Sequence, residues 1–339
     1  MSPAPDAVAA MPLLLALAIA ALISALITWT SRPLLQRYAL ARPNARSSHR
    51  IPTPQGAGIA VITATLLIAS AWAVWANVAI PPALVVATIV IALVGFADDI
   101  VSLPVLVRLV LQGVCVGAVV FTAPDTARIV PAVPLALERG LILLGGVWFV
   151  NLVNFMDGLD LMTVAEVVPV TALLLLLGMH GDLSWPAVLI ATALCGAMLG
   201  FAPFNKPVAK VFLGDVGSLP IGLLLGWCLL ELAWQGQPAA ALLLPGYYLA
   251  DATITLFRRI IRREQFWSAH RSHFYQHATD NGFAVSRVIG EVFTLNLVLA
   301  GLALVTVRAG STAITIASLL AGAVAIGFVL RRFSRSQIC

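Results

Sequence analysis

Residues 80–100 read IPPALVVATIVIALVGFADDI, an apolar run that ends in two adjacent aspartates, Asp98 and Asp99. A transmembrane helix needs about 20 mostly apolar residues, so this stretch predicts a membrane span with carboxylates at its end. A carboxylate at membrane depth costs roughly 2.5–3.5 kcal/mol on insertion scales, and such groups usually face a partner, a cavity or an ion. The stretch therefore predicts a class of fold and the position of a polar site.

The rest of the chain has the same character. Of its 339 residues, 60% are hydrophobic and 10% are charged, against about 25% charged in soluble domains. The four cysteines form no disulfide or CxxC pattern, and the first apolar run is longer than a signal-peptide core. We predict an all-α polytopic membrane protein, one domain over 1–339, with eleven spans near residues 10–30, 57–76, 80–97, 104–122, 135–153, 161–180, 186–202, 217–234, 239–257, 288–307 and 312–330.

The distribution of basic residues predicts the orientation of these spans. With the N-terminus outside, 17 of the 20 Lys and Arg residues fall in inner loops or at inner span ends. Cytoplasmic loops carry such an excess, so we predict a periplasmic N-terminus and a cytoplasmic C-terminus. Five aspartates of three motifs then share the cytoplasmic side, namely Asp98, Asp99, Asp157, Asp160 and Asp215.

Two of these motifs are carboxylate-rich span ends. Asp98 and Asp99 are adjacent, which raises one pKa unless a cation neutralises the pair, and this favours a Mg²⁺ site or a general base. A solvated helix end is the alternative. The segment NLVNFMDGLD repeats a polar residue every three positions, a helical stripe that suits a polar ligand or a metal, with interhelical polar contacts as the alternative. Its polar members are Asn151, Asn154, Asp157 and Asp160.

The other motifs are basic or glycine-containing loops. In FNKPVAKVFLGDVGS, residues 204–218, glycines flank Asp215, and Lys206 and Lys210 can neutralise phosphate near a helix start. His270, Arg271 and His273 cluster in one short loop and suit phosphate oxygens. A basic Ser/Pro/Gly-rich loop, residues 42–58, can also line a site. An ordinary capped loop is the alternative for residues 204–218, and a flexible linker is the alternative for residues 42–58. For the neighbouring arginines, Arg258 to Arg263, the alternative is contact with anionic headgroups.

Together these features place carboxylates, basic groups and glycine turns on one side of a membrane protein. That combination fits Mg²⁺-dependent phosphoryl transfer, in which metal and basic groups neutralise phosphate charge in the transition state. An ion-coupled transporter is a remote alternative, because the carboxylates lie at the inner face and no paired halves are visible.

Five ordered motifs then point to a family: RSSHRIPTPQGAG, GFADDI, NFMDGLD, KVFLGDVGS and AHRSHFYQ. The chain resembles the polyprenyl-phosphate N-acetylhexosamine-1-phosphate transferases, the superfamily of the MraY and WecA types, over roughly residues 30–290. RSSH..PTP and HRSHFYQ are more similar to the WecA/WbpL-like branch. An MraY-like phospho-MurNAc-pentapeptide transferase of peptidoglycan synthesis remains the alternative.

The resemblance implies that the phosphate of undecaprenyl phosphate attacks the β-phosphorus of a UDP-N-acetylhexosamine and releases UMP, which starts an O-antigen or related surface glycan. It implies a bacterial inner-membrane protein, Mg²⁺ as cofactor with Mn²⁺ as a substitute, no nucleic acid polymer as partner, and a homodimer as an open question. Metal ligation falls to Asp215, Asp98 and Asp99. Catalytic roles fall to Asp98, Asp99, Asp157, Asp160, His270, Arg271 and His273, and substrate binding to Asn151, Asn154, Phe212, Lys210, Ser48 and His49.

The chain departs from the family pattern at three positions. Leu161 follows Asp160 where the family often has DGxDG, and Gln55 and Ala57 replace the Arg and Gly of PTPRGGG. The first change leaves the carboxylates in place, and the second removes a positive charge from a loop expected to face substrate. Both affect the expected sugar specificity more than the chemistry.

Overall fold

The computed structural model describes residues 7–41, 52–265 and 271–336. Its helices are α1 (Ala7–Tyr38), α2 (Gly58–Trp75), α3 (Pro82–Ile100), α4 (Val105–Phe121), α5 (Leu135–Met156), α6 (Met162–Met179), α7 (Trp185–Phe201), α8 (Asp215–Trp234), α9 (Pro238–Leu243), α10 (Gly246–Ile261), α11 (Phe274–Asp280), α12 (Val285–Ala309) and α13 (Thr312–Phe333). Strands β1 (Leu40–Ala41) and β2 (Thr53–Pro54) pair antiparallel, with Leu40 opposite Pro54. The predicted all-α polytopic class is confirmed.

Each predicted span corresponds to helix, but the lengths differ. Within the described ranges, nine helices are long and apolar enough to cross a membrane, namely α1, α2, α3, α5, α6, α7, α8, α12 and α13. The α7 span continues through a 3₁₀ turn to Phe204 and has 20 residues, whereas α4 has 17. The single span predicted at 239–257 is two helices, α9 and α10. Pro245 lies between them and lacks the N–H that an uninterrupted helix would use.

The protein is built around α6, α7 and α8. Of the most apolar part of α8, 83% is buried within the protein, against 22% for α13. α7 packs on α1, α2 and α6, and α8 packs on α3 and α5. The N-terminus of α8 carries Asp215, so this aspartate is attached to the most enclosed element of the fold.

A small-residue contact joins α1 to this centre. Gly196 and Gly200 are four residues apart on α7, and a Cβ at either would collide with a backbone carbonyl of α1, that of Leu17 or Ala21. Such small-xxx-small spacing lets membrane helices approach closely, which favours van der Waals packing in a solvent as apolar as the side chains.

Candidate active site

A cavity of about 540 Å³ opens at the end of the bundle where α3 and α5 end and α8 begins. The three carboxylate motifs meet there, although they are far apart in sequence. Six of the predicted site residues line the cavity: Asp99, Asn154, Asp157, Asp160, Phe212 and Asp215. The packing of α8 against both α3 and α5 brings them together.

Asp99 connects two of the motifs. Its Oδ1 accepts a hydrogen bond from the backbone N–H of Asp215 at 2.9 Å, and its Oδ2 accepts one from that of Val216 at 3.1 Å. The first N–H groups of a helix have no intrahelical partner, and negative charge is favourable there. Asp99 therefore caps α8, and both of its oxygens already have partners.

Asp98 has a different partner, the guanidinium of Arg108 on α4. Its other oxygen accepts a 2.7 Å hydrogen bond from the backbone N–H of Leu103. Arg108 Nη1 also lies 3.6 Å from Asp215 Oδ2, so one cation bridges two carboxylates. Sequence reasoning counted Arg108 only as an inner charge. Its position ten residues after Asp98, in an otherwise apolar run, was the available signal.

Asp215 is oriented from α5. Asn154 Nδ2 donates to Asp215 Oδ1 at 2.7 Å and to Ser218 Oγ at 2.9 Å, so Asn154 fixes the carboxylate relative to α8. The polar stripe predicted at the end of α5 is wrong beyond Met156, where the helix ends. Asp157 and Asp160 lie in the following turn, in which Leu161 takes a positive φ of 61°.

The turn after α5 holds the remaining carboxylates at the cavity. Asp157 accepts a hydrogen bond from Thr163 Oγ1, and burial raises the pKa of Asp157 to about 7. Because burial disfavours its charged form, a nearby cation would favour ionisation. Asp160 Oδ2 accepts a 3.0 Å hydrogen bond from the backbone N–H of Ala209.

Asn205, which sequence reasoning missed, joins this turn to the loop before α8. Its Oδ1 accepts from the backbone N–H of Leu161 at 2.6 Å, and its Nδ2 donates to the Val211 carbonyl at 3.0 Å. It also lines the cavity. An Asn in a polar loop carries no distinguishing signal in a single sequence.

The described part of the first motif packs on the same loop. The backbone N–H groups of Gly56 and Gly58 donate to the carbonyls of Phe212 and Leu213 at 3.2 and 2.8 Å. Gln55 Nε2 donates to the Asp99 carbonyl at 3.1 Å. The amide that replaces the family's arginine thus holds the end of α3 while it lines the cavity.

Asp251 on α10 organises the last motif, a role that the sequence did not reveal. Its carboxylate is fully buried and accepts hydrogen bonds from the backbone N–H groups of Phe274 and Tyr275 at 3.0 and 3.2 Å. His273 Nδ1 lies 3.2 Å from the same carboxylate. Tyr275 continues the contact, since its hydroxyl donates to the Phe155 carbonyl at 2.9 Å. The loop is thereby attached to the last turn of α5, next to Asp157.

The structure does not bring every predicted residue to the cavity. Asn151 instead donates to Gln112 and to its own helix, Lys210 is exposed, and Arg271 pairs with Asp280 at 2.9 Å. The His273 side chain is buried, and its Nδ1 lies 3.2 Å from the fully buried Asp251 carboxylate. Their substrate roles stay predictions. Ser48, His49 and His270 lie outside the described residues.

The carboxylates also decide whether the predicted Mg²⁺ could bind in this cavity. Among the described residues, no three His, Cys, Asp or Glu side chains form a ready metal site. Asp98 and Asp99 are both hydrogen-bonded to protein groups. Mg²⁺ is usually held by one or two carboxylates plus substrate phosphates and water, so it does not require three. Asp215, with Asp157 and Asp160 on the same cavity, is a hard oxygen donor set that fits it.

Comparison with known proteins identifies the same family as the sequence motifs. The family described as "Glycosyl transferase family 4" matches residues 81–233, which include all five aspartates. The decaprenyl-phosphate N-acetylglucosaminephosphotransferase of Mycobacterium tuberculosis (strain ATCC 25618 / H37Rv) is 30% identical over 318 residues, 80% of this chain and 78% of the relative. The protein of that name from Mycolicibacterium smegmatis is 34% identical over 241 residues, which are 62% of this chain.

A second kind of relative also matches. The phospho-N-acetylmuramoyl-pentapeptide-transferase of Symbiobacterium thermophilum is 32% identical over 204 residues, 54% of this chain. The matched regions span 58% of the Mycolicibacterium protein and 61% of the Symbiobacterium protein, less than two thirds of each. The chain belongs to glycosyl transferase family 4, within the polyprenyl-phosphate N-acetylhexosamine-1-phosphate transferase superfamily.

Proposed function

We propose that the protein transfers N-acetylhexosamine 1-phosphate from a UDP-sugar to undecaprenyl phosphate and releases UMP. The sugar is GlcNAc or a 6-deoxy relative such as FucNAc or QuiNAc, and the product starts an O-antigen or related surface polysaccharide. The reaction takes place at the cytoplasmic face of the bacterial inner membrane. Relatives named as polyprenyl-phosphate N-acetylglucosamine phosphotransferases support the class of reaction.

One observation carries this proposal. Asp157, Asp160 and Asp215 line a single cavity, and Arg108 Nη1 lies 3.6 Å from Asp215 Oδ2. A diphosphate donor and a phosphate acceptor bring several negative charges together. A site for them therefore needs fixed positive charge, together with carboxylates that hold a metal.

In the reaction, an oxygen of the acceptor phosphate forms a bond to the β-phosphorus of the UDP-sugar. The bond from that phosphorus to the oxygen of UMP breaks, and UMP leaves with the electron pair. A phosphate monoester has a second pKa of about 6, so the attacking group is already ionised near pH 7. The chain therefore needs to position the acceptor rather than deprotonate it.

Each of the site residues has a separate role in this reaction. Mg²⁺ held by Asp215 would supply Lewis-acid neutralisation of the diphosphate charge. Arg108 supplies a positive charge fixed by Asp98, and Asn154 keeps Asp215 in one orientation. Asp99 holds the start of α8, so it acts on the site through the position of Asp215. Phe212 lines the cavity, where its ring can stack on uracil.

The test uses purified protein with undecaprenyl phosphate, Mg²⁺ and a panel of UDP-sugars, scored for UMP and for lipid-linked product. We expect product with a UDP-N-acetylhexosamine and none when either the metal or the acceptor is left out. UDP-MurNAc-pentapeptide belongs in the panel, because some relatives are named for that substrate. Turnover of that donor alone would replace the proposal with the peptidoglycan activity, and no turnover with any donor would overturn both.

A further inference from the structure

A second polar cluster lies at the start of α12 and the end of α13, outside the candidate active site. Arg287 Nε and Arg332 Nε lie 3.2 and 3.1 Å from the same oxygen of Glu291, so the two guanidinium groups converge. Both also lie over the ring of Phe283, at 5.4 and 5.5 Å from its centre. One carboxylate between two arginines leaves a net positive charge, and exposed Arg331 and Arg335 add to it.

An apolar groove runs from this cluster along the two helices. Its charged end is formed by Arg287, Glu291 and Arg332, and its length is lined by apolar side chains that include Val298, Val324 and Phe328. Val324 and Phe328 are 73% and 66% exposed. Gly290 lies in the groove, and a Cβ there would meet nothing within 4 Å, so the space beside α12 is open.

The charged end lies near the candidate active site, at the ends of two helices long enough to cross a membrane. Val285, the first residue of α12, lines the active-site cavity. At the end of α13, the Phe333 carbonyl accepts a 2.7 Å hydrogen bond from Asn281 Nδ2, just after α11. The groove therefore extends from a membrane–water boundary into the hydrocarbon, with positive charge at the boundary. This arrangement matches a lipid with an anionic headgroup and acyl chains.

We propose that the α12–α13 groove binds an anionic phospholipid, with its phosphate at Arg287 and Arg332 and an acyl chain along Gly290 and Val324. The net charge left after Glu291 suits a phosphodiester, which carries one negative charge. Arginine suits this role, since its guanidinium can donate two parallel hydrogen bonds to a phosphate. An apolar chain alone would not distinguish headgroups, so selectivity depends on the arginine pair.

The experiment is native mass spectrometry of the full chain, purified and mixed with phosphatidylglycerol or phosphatidylcholine of identical acyl chains. We expect wild-type protein to retain phosphatidylglycerol over phosphatidylcholine. Near a membrane surface each arginine contributes enough for about a fivefold change in affinity, so R287Q/R332Q should lower phosphatidylglycerol retention by about tenfold or more. The matched control R262Q/R263Q removes two exposed arginines at the end of α10 and should change it less than about twofold.

A second pair of variants tests the groove without changing charge. Gly290→Leu places a side chain in the open space of the groove and should also lower phosphatidylglycerol retention. The control Gly301→Leu also fills open space on α12, but away from the groove lining, and should leave retention unchanged. A thermal midpoint measured for each variant separates loss of binding from loss of fold.

Several results would overturn this proposal. If wild-type protein retained both lipids equally, the groove would not select an anionic headgroup. If R287Q/R332Q and Gly290→Leu both retained phosphatidylglycerol as the wild type does, the lipid would not bind in this groove. If the lipid-free protein were a dimer and Gly290→Leu dissociated it, the groove would instead bind a second copy of the chain. A polyprenyl monophosphate could displace phosphatidylglycerol stoichiometrically, and R287Q/R332Q could raise the KM for the acceptor. Both results together would show that the groove binds the acceptor lipid.

Discussion

The carboxylate of Asp99 caps the helix that begins at Asp215, with its Oδ1 2.9 Å from the Asp215 backbone nitrogen. Two aspartates that look equivalent in sequence therefore act in different ways. Asp99 uses both oxygens to hold backbone groups, whereas the Asp215 carboxylate faces the cavity and Arg108. This relationship connects stability to activity, because moving the start of α8 moves the Asp215 carboxylate.

Because Asp99 caps α8, substitutions of Asp99 should lower the stability of the protein by an amount that depends on how many acceptors remain. Asp99→Ala leaves two N–H groups of α8 without their acceptor and should cost about 1–2 kcal/mol, the usual effect of removing a helix cap. Asp99→Asn keeps one oxygen acceptor and should cost less. The measurement is the thermal midpoint of the purified variants in detergent. An Asp99→Ala protein as stable as wild type would show that the cap contributes little.

Asp215 should be needed for activity but not for folding. Asp215→Asn keeps the backbone N–H that Asp99 accepts and an oxygen for Asn154, but loses the charge that holds a cation. We expect Mg²⁺-dependent UMP release to fall by at least about 100-fold with little change in thermal midpoint.

The control for this variant is Asp182→Asn, the same change at the opposite end of the bundle, where Asp182 pairs with Arg308 at 2.9 Å. It should keep near wild-type activity. If Asp215→Asn retained turnover similar to this control, the metal assignment would be wrong.

Arg108 is expected to bind substrate phosphate. Arg108→Gln removes a charge-assisted contact, which is worth about 1.5–3 kcal/mol, so kcat/KM should fall by about ten- to a hundredfold. Arg108→Lys keeps the charge and should recover part of the loss. Steady-state kinetics with both substrates measure this, and Arg308→Gln serves as the control. Unchanged kcat/KM in Arg108→Gln would leave Arg108 with only a structural role.

Gly158 and Tyr275 should be coupled. A Cβ at position 158 would overlap the Tyr275 hydroxyl, and Tyr275 Cζ lies only 3.0 Å from its position. Gly158→Ala should therefore displace the turn with Asp157 and lower both thermal midpoint and activity. Tyr275→Phe removes the overlapping oxygen, so the double variant should recover part of the loss. Additive effects in the double-mutant cycle would contradict this contact.

Asp251 should be the most costly aspartate to remove. Asp251→Ala leaves buried groups of His273, Phe274 and Tyr275 without an acceptor, and breaking a buried charged network typically costs about 3–5 kcal/mol. Asp280→Ala, which breaks a half-exposed pair with Arg271, should cost less than about 1 kcal/mol. Thermal midpoints measure both, and equal midpoints for these variants would remove Asp251 as the organiser of the last motif.

The sequence by itself determined the helical segments and the positions of the carboxylate motifs along them. Apolar runs of about 20 residues and the polar interruptions between them are local properties, so the all-α fold and the carboxylate motifs could be predicted without contacts. The broken span at Pro245 and the end of α5 at Met156 were missed. Hydropathy cannot distinguish a continuous span from two packed helices.

The tertiary structure alone decided which partner each charged residue of the site has. Asp99 and Asp215 are 116 residues apart, and their contact exists because α3 packs against α8. Arg108 and Asp251 lie in apolar helices and resemble ordinary interfacial or helix-packing residues in the sequence, yet each holds a loop or carboxylate of the site. Their roles depend on partners that only packing brings within hydrogen-bond distance, so no local pattern could specify them.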